Sequence, residues 1–269
     1  MDAQPITVVD AFTNVPLAGN PAAVCVLKQE QSTDWMQSVA KEMNLSETAF
    51  LLSEGDHIYR LRWFTPTVEV KLCGHATLAS AHLLWEEGQA SGSKPLHFET
   101  LSGRLTAEQK EAGWIALNFP SRFVSDSDAP PELGQGLGAE PLFVAKYDSG
   151  YLVEVANKEV LLGIKPDFAR LVKSGCGRII VTTQAQSGDE YDFFSRFFAP
   201  DAGIDEDPVT GSAHCVLGPY WATKLGKTEL RAFQCSDRGG ELRLSVQGDR
   251  TVLQGRAVTV LKGQLLARG

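Results

Sequence analysis

Residues 63–85 read WFTPTVEVKLCGHATLASAHLLW, and this stretch joins the end of a strand to the start of a helix. Before it, Tyr59, Leu61 and Trp63 alternate with arginines, which is typical of a β-strand. From Gly74 the pattern becomes helical, with many small residues and almost no polar face. A helix of this kind is buried on most sides. The stretch therefore predicts a central core helix over residues about 74–87.

The first turn of this predicted helix is Gly74-His75-Ala76-Thr77. The N–H groups at a helix start lack intrahelical partners and lie at the positive end of the helix dipole, so they can bind a carboxylate or phosphate. Taken alone, the stretch is equally compatible with an ordinary junction between a loop and a helix.

The same pattern returns about half the chain later. Phe197-Phe198-Ala199-Pro200 repeats the strand end Phe64-Thr65-Pro66, and a second apolar helix follows, expected over residues about 208–224. Asp207-Pro208 suits an N-cap with proline at the first helical position. The repeated order of strand, loop and helix predicts two copies of one half-domain, with a cleft between their helix N-termini. Gly218-Pro219 is expected to interrupt the second helix.

Composition and charge exclude several classes. Of the 269 residues, 43% are hydrophobic and 22% charged, which is ordinary for a globular chain with a sizeable core. The net charge is −8 and no Lys/Arg cluster occurs, so we expect no nucleic-acid partner. The N-terminus lacks a secretory pattern and no apolar run reaches membrane-spanning length, so we expect neither export nor membrane insertion.

The five cysteines are odd in number and have no C-x-x-C spacing. This argues against a disulfide framework and against a cysteine-rich zinc site. A reducing, cytoplasmic location fits best.

Glu47 lies at a position where a carboxylate could transfer protons. A helix with an N-cap in Ser32-Thr33-Asp34 is expected to end at Asn44, and the continuous apolar run after Glu47 predicts a strand buried on both faces. A carboxylate at the mouth of such a strand is half desolvated, which raises its pKa toward a value useful for acid/base chemistry. A solvated Glu at the rim is the ordinary alternative.

Residues 120–141 contain the only linker-like change in composition. We place the boundary there, with an N-terminal half over residues 1–125 and a C-terminal half over residues 126–269. Strands outnumber helices in both, so the sequence predicts an α+β fold in which each half is a curved, mostly antiparallel sheet around its buried helix.

Six ordered motifs resemble the PhzF-like family of phenazine-biosynthesis isomerases over nearly the whole chain. They are Val9-Asp10-Ala11-Phe12, Gly19-Asn20-Pro21, Ser46-Glu47-Thr48-Ala49-Phe50, Phe64-Thr65-Pro66, Leu72-Cys73-Gly74-His75-Ala76-Thr77 and Glu206-Asp207-Pro208-Val209-Thr210-Gly211-Ser212. The resemblance implies the diaminopimelate epimerase-like fold, in which two pseudo-symmetric β-barrel-like halves each wrap around a central helix. It also implies a homodimer, a small carboxylate-bearing substrate, and no metal or organic cofactor.

The resemblance also implies roles for particular residues. Glu47 would transfer the proton, and His75 and Asp207 would hydrogen-bond the substrate as part of the catalytic set. The substrate-binding residues would be Asn20, Cys73, Gly74, Gly211 and Ser212.

The residues themselves favour isomerisation over inversion by two thiols. Inversion needs a base on one face of a carbon and an acid on the other, but Pro208-Val209-Thr210-Gly211 offers no thiol opposite Cys73. A single carboxylate can instead take a proton and return it elsewhere on the same face, which performs an allylic or tautomeric isomerisation. The thiol of Cys73, at a helix start, could act as an acid/base in its own right, although a buried filling role is the simpler interpretation.

Other functions are weaker alternatives. Cys73 and His75, two positions apart, are too constrained to assume the geometry of a cysteine hydrolase. His75 and His82 lack a third ligand at metal spacing, and neither a P-loop nor a dinucleotide fingerprint occurs. Two alternatives stay open: a thiol-dependent epimerase or racemase using Cys73, and a non-catalytic ligand- or partner-binding protein on the same fold.

Overall fold

The computed structural model describes residues 3–148 and 150–266. These residues form two compact units. Unit 1 comprises the described residues through Phe119 together with those from Gln254 onward, and unit 2 comprises those from Pro120 to Leu253. Both units combine helices with a mixture of parallel and antiparallel strands, so the α+β class is confirmed.

Unit 1 places a helix in each parallel strand connection. The pairs β2–β3 and β4–β6 are parallel, whereas β1–β2, β3–β4, β4–β5, β6–β7 and β7–β8 are antiparallel. Parallel neighbours need a long crossover, and α1 and α2 supply it. The elements are β1 (Gln4–Ala11), β2 (Asn20–Leu27), α1 (Thr33–Met43), β3 (Glu47–Gly55), β4 (Ile58–Phe64), β5 (Glu69–Val70), α2 (Gly74–Glu86), β6 (Leu96–Thr100), β7 (Gly103–Gln109) and β8 (Ile115–Pro120).

Unit 2 repeats this order of pairings. Antiparallel β10–β11, parallel β11–β12, antiparallel β12–β13, parallel β13–β14 and antiparallel β14–β15 follow one another, and β9 adds to β10. The elements are β9 (Ser125–Asp126), α3 (Leu133–Leu137), β10 (Phe143–Tyr147), β11 (Gly150–Glu154), α4 (Lys158–Gly163), α5 (Phe168–Lys173), β12 (Ile179–Gln184), β13 (Phe193–Phe198), α6 (Gly211–Leu225), β14 (Glu229–Gln234), β15 (Gly240–Gln247) and β16 (Arg250–Gly255).

The last strand, β17 (Ala257–Leu265), returns to unit 1. It pairs antiparallel with β1 from Gln4↔Leu265 to Ala11↔Ala257. The expected halves 1–125 and 126–269 therefore differ from the observed units, because the C-terminal strand belongs with the N-terminal one. Alternation of apolar and polar residues predicts a strand but does not indicate which other strand it pairs with.

The two long helices of unit 1 differ in their sequence features: α1 has capping residues at both ends, and α2 has many small buried residues. In α1 the hydroxyl of Ser32 accepts from the Trp35 N–H, and Asn44 ends the helix in the left-handed region at φ 51°, as the sequence predicts. In α2 nine residues are buried, and small side chains dominate them. None of the helices in the described residues is long and apolar enough to cross a bilayer.

Helix α6 departs from the sequence-based expectation at two places. It begins at Gly211 with Thr210 as N-cap, and it continues through Pro219 to Leu225. The predicted cap at Asp207-Pro208 is wrong, because residues 207–210 are held outside the helix by hydrogen bonds to Gln234. The predicted interruption at Pro219 is also wrong.

Gly255 packs so closely inside unit 1 that a methyl group there has no room. A Cβ at this position would lie 2.4 Å from Cδ1 of Phe12 and 2.8 Å from Cδ1 of Leu78. Both neighbours are fully buried, so neither can move aside into solvent. Leu78 belongs to α2, and the contact therefore fixes how closely this helix approaches the strand.

We expect Gly255→Ala to lower the free energy of unfolding by about 1–3 kcal/mol, because it overpacks the core. The matched control is Gly163→Ala, where an added Cβ would meet nothing within 4 Å, so stability should stay the same or rise slightly. Urea unfolding of both variants checks this. Equal midpoints for the two variants would contradict the packing argument.

Candidate active site

The start of α2 and the start of β3 bring three chemically active side chains together. Nε2 of His75 lies 3.3 Å from Oε2 of Glu47, and Nδ1 of His75 lies 3.5 Å from Sγ of Cys73. One ligand atom from each of the three residues lies within 4.8 Å of the others. His75 thus stands between a carboxylate and a thiol. We call these three residues the Glu47–Cys73–His75 cluster.

The cluster is placed by the backbone pairing of unit 1. Glu47, the first residue of β3, pairs in parallel register with Ala22 of β2, and Asn20 is the first residue of β2 and is fully buried. Gly74 and His75 open α2, which enters after the end of β4 and the short strand β5. Predicted site residues from three separate sequence motifs therefore lie at or next to element starts within unit 1.

His75 is a neutral base in this environment. Its side chain is only 6% exposed, against 14% for Glu47, and burial lowers the pKa of His75 from 6.5 to about 3. The contact of its Nε2 with Glu47 is close, yet it does not have the alignment of a hydrogen bond. At neutral pH the imidazole is therefore uncharged, so the pair does not consist of two opposite charges.

The N-terminus of α2 has no side-chain cap. Cys73 is the N-cap residue and makes no capping hydrogen bond from its side chain, and the first turn carries no acidic residue. The Thr77 hydroxyl donates to the Cys73 carbonyl at 2.5 Å, which ties the cap residue to the helix. Uncapped N–H groups at the positive end of a helix suit an anionic group of a ligand.

The Cys73–His75 geometry corrects one sequence-based argument. Two positions at a helix entry were expected to be too constrained to bring thiol and imidazole together, whereas the observed separation is 3.5 Å. The reason is that Cys73 is the N-cap, with extended backbone at φ −145° and ψ 112°. An extended residue just before the helix directs its side chain differently from residues within it, so the two side chains can meet.

In unit 2, Asp207 belongs to a buried network at the start of α6. The Thr210 hydroxyl donates a short hydrogen bond to Oδ2 of Asp207. Gln234, at the end of β14, donates from Nε2 to the Asp207 carbonyl at 2.7 Å and accepts from the Thr210 N–H at 2.9 Å. Gly211 and Ser212 follow directly as the first residues of α6, whose N-cap also makes no side-chain capping hydrogen bond.

Gln234 and His214 are positioning residues that the sequence analysis missed. Gln234 is fully buried and holds both ends of the Asp207–Thr210 turn. His214 is also fully buried, and its Nδ1 lies 2.8 Å from the Thr210 carbonyl. Burial lowers the pKa of His214 to about 4. No motif marks a glutamine at a strand end, but a histidine in the first turn of an apolar helix could have been noticed.

The family of phenazine biosynthesis-like proteins, PhzC-PhzF, matches residues 9–263. The chain belongs to this family.

Members of the PhzC-PhzF family resemble the chain over its whole length. A protein of Halalkalibacterium halodurans named as an uncharacterised isomerase is 53% identical over 267 residues, covering 99% of this chain and all of that protein. A Pseudomonas aeruginosa protein of similar name is 46% identical, with 96% of both chains covered. The crystal structure of a PhzF family protein from Enterococcus faecalis superposes with a TM-score of 0.93 at 40% identity, covering 99% of this chain and 100% of that one.

We expect the free energy of unfolding to fall as the pH is lowered from 6.5 to 5, in part through His75 and His214. Their folded pKa values, about 3 and about 4, lie below the ordinary 6.5. Protons therefore bind the unfolded chain first, and stability present above pH 6.5 is lost toward the folded pKa. Each ring contributes up to about 1.4 kcal/mol per pH unit.

Urea unfolding at several pH values, compared between the natural chain and His75→Asn, checks this expectation. Between pH 6.5 and pH 5, the free energy of unfolding should depend less steeply on pH in the variant. The difference in slope should be up to about 1.4 kcal/mol per pH unit, which is the contribution of one titrating group. An unchanged slope would mean that His75 takes up a proton in the folded state.

Proposed function

We propose that this protein is a cofactor-independent isomerase that moves a proton within a small carboxylate-bearing substrate, with Glu47 as the general acid/base. Membership of the PhzC-PhzF family and relatives named as isomerases support this reaction class. The observation that carries the proposal is the contact of Glu47 with neutral His75 at the uncapped start of α2.

The neutral state of His75 assigns the roles within the cluster. An imidazole whose pKa is about 3 does not carry an extra proton near pH 7, so no imidazolium is available as the acid of the reaction. Glu47 then removes the proton from one carbon and, as the protonated acid, returns it to another. His75 would hydrogen-bond the substrate beside the Glu47 carboxylate.

Charge that develops on the substrate as the proton leaves would be stabilised by oriented backbone N–H groups. The starts of α2 and α6 both lack a side-chain cap, and preorganised donors of this kind supply electrostatic stabilisation without reorganising. Gly74, Gly211 and Ser212 would bind the substrate carboxylate, with Asn20 and Cys73 lining its site. Asp207, held by Thr210 and Gln234, would hydrogen-bond the substrate.

The proposal includes the shape of each unit, the location of the protein and its oligomeric state. Each unit would be a β-barrel-like shell around α2 or α6, with the chain acting as a cytoplasmic homodimer. The repeated order of strand pairings supports the duplicated architecture.

A thiol-dependent epimerase is the second candidate, and the 3.5 Å approach of Cys73 Sγ to His75 Nδ1 favours it. The thiol would act on the face opposite to Glu47 or replace it. Against this candidate, the segment 208–211 before α6 contains no thiol that could form the second member of a pair.

The substrate class can be identified before the chemistry. Small cyclic and acyclic amino and hydroxy acids are added in excess, and the unfolding transition is followed. A ligand at 100 times its Kd stabilises the folded chain by about 2.7 kcal/mol. Acids that stabilise the chain become the substrates of the exchange experiment.

We expect Glu47→Gln to slow incorporation of solvent deuterium into the substrate by about 10²–10⁴-fold, because the amide cannot take the proton. The control is Glu54→Gln on the same strand, where an exposed carboxylate pairs with Arg60 at 3.2 Å; it should exchange at the natural rate. Mass spectrometry of the recovered substrate measures the label. Equal incorporation in Glu47→Gln and the natural chain would remove Glu47 from the mechanism.

Cys73→Ser separates the two candidate functions. If Glu47 is the acid/base, the serine variant should keep most of its deuterium exchange, since a hydroxyl still fills the space. If the thiol reacts, the variant should lose inversion of an amino acid's optical rotation altogether, which polarimetry detects.

A further inference from the structure

We propose that Glu47, Cys73 and His75 form a binding site for a thiophilic divalent cation such as Zn²⁺, and that the bound ion blocks Glu47. This site is distinct from a cofactor site, because its occupation would inhibit the chain rather than activate it. The blocking of Glu47 rests on the proposed function, whereas ion binding does not, since binding can be measured without any substrate.

The cluster has the ligand types that zinc prefers. A thiol sulfur, an imidazole nitrogen and a carboxylate oxygen lie within 4.8 Å of one another, and among residues 3–148 and 150–266 this is the one such group of three His, Cys, Asp or Glu side chains. Thiolate and imidazole ligands select zinc-like ions over Mg²⁺ and Ca²⁺, which prefer oxygen. Three protein ligands also leave a fourth position for water.

Two contacts within the cluster match the ligand spacing of a tetrahedral ion. Zinc bonds of 2.0–2.3 Å imply that neighbouring ligand atoms lie about 3.3–3.6 Å apart. The Glu47 oxygen and His75 Nε2 are 3.3 Å apart, and the Cys73 sulfur and His75 Nδ1 are 3.5 Å apart. These two contacts use different ring nitrogens, and one ion bonds to only one of them. The ligand atoms that would share an ion lie within 4.8 Å of one another, so binding requires the side chains to move closer together.

The environment of His75 supports a ligand at this place. Nε2 of His75 is buried and makes no aligned hydrogen bond, and a buried polar nitrogen without one costs free energy that a metal bond would recover. Glu47, the most exposed of the three at 14%, provides the side from which an ion can enter.

Binding of the ion releases one proton from the protein. The Cys73 thiol loses its proton to solvent as the sulfur–metal bond forms, and no oxidation or reduction occurs. The Glu47 oxygen then bonds to the ion and is no longer available to take a proton from a substrate. A chelator that removes the ion returns the thiol proton and frees the carboxylate.

The other cysteines provide a contrast within the same chain. Burial raises the pKa values of Cys25 and Cys215 to about 12 and that of Cys235 to about 11. They remain protonated thiols at neutral pH and are poor metal ligands. A metal signal that depends on a thiolate is therefore not expected from these three cysteines.

Titration of the full, pre-reduced chain with Co²⁺, in buffer without thiol reductant, tests the site. A cobalt–thiolate charge-transfer band should appear in the near ultraviolet, saturate at one ion per chain, and disappear when Zn²⁺ is added. Cys73→Ser should abolish the band, and the matched control Cys235→Ser should keep it. Glu47→Gln and His75→Asn should each weaken cobalt binding by about 10- to 100-fold or more.

The outcomes separate the possibilities. Absence of the band in the natural chain, or its persistence in Cys73→Ser, overturns the site. A band that needs Cys73 but has the same affinity in Glu47→Gln and His75→Asn reports a single thiolate and also overturns the three-residue site. Circular dichroism checks that each variant is folded. If either Glu47→Gln or His75→Asn unfolds, the other variant alone tests the three-residue site. Loss of isomerisation in the exchange experiment would leave these results unchanged.

Discussion

Burial of a helix that has almost no polar face is the constraint on which the rest of this structure depends. Helix α2 carries Ala76, Ala79 and Ala81 among its nine buried residues, so surrounding backbone can approach on nearly every side. The buried hydroxyls of Thr77 and Ser80 donate to carbonyls of the preceding turn of the same chain segment. The N-terminal end, left without a side-chain cap, is where Glu47 and His75 meet.

Local signals were enough to predict much of this fold. Ser32 and Asn44 bound α1, and Gly74 begins α2, because capping and hydrophobic periodicity are properties of neighbouring residues. The resemblance of six motifs to the PhzF-like family was likewise carried by short runs, and the family is confirmed. The roles of all the predicted site residues stay predictions: Asn20, Glu47, Cys73, Gly74, His75, Asp207, Gly211 and Ser212.

What could not be predicted depends on contacts between distant residues. Gln234 takes the backbone partners that would otherwise let Asp207 cap α6, and it lies 27 residues away. The thiol of Cys73 approaches His75 only because the N-cap backbone is extended. The distance between Glu47 and His75 likewise depends on how the sheet positions β3 and α2. The two short motifs that contain these residues do not specify that position.

The pairing of β17 with β1 has a consequence for how the chain is made. Unit 2 is one continuous segment, whereas unit 1 is assembled from two segments that flank it. During synthesis the middle segment can fold as soon as it leaves the ribosome. The sheet around β1, in contrast, stays open along one edge until residues 257–265 have been translated. Such late closure between distant strands is slow, and the exposed edge of β1 is the part of the nascent chain that most needs protection from aggregation.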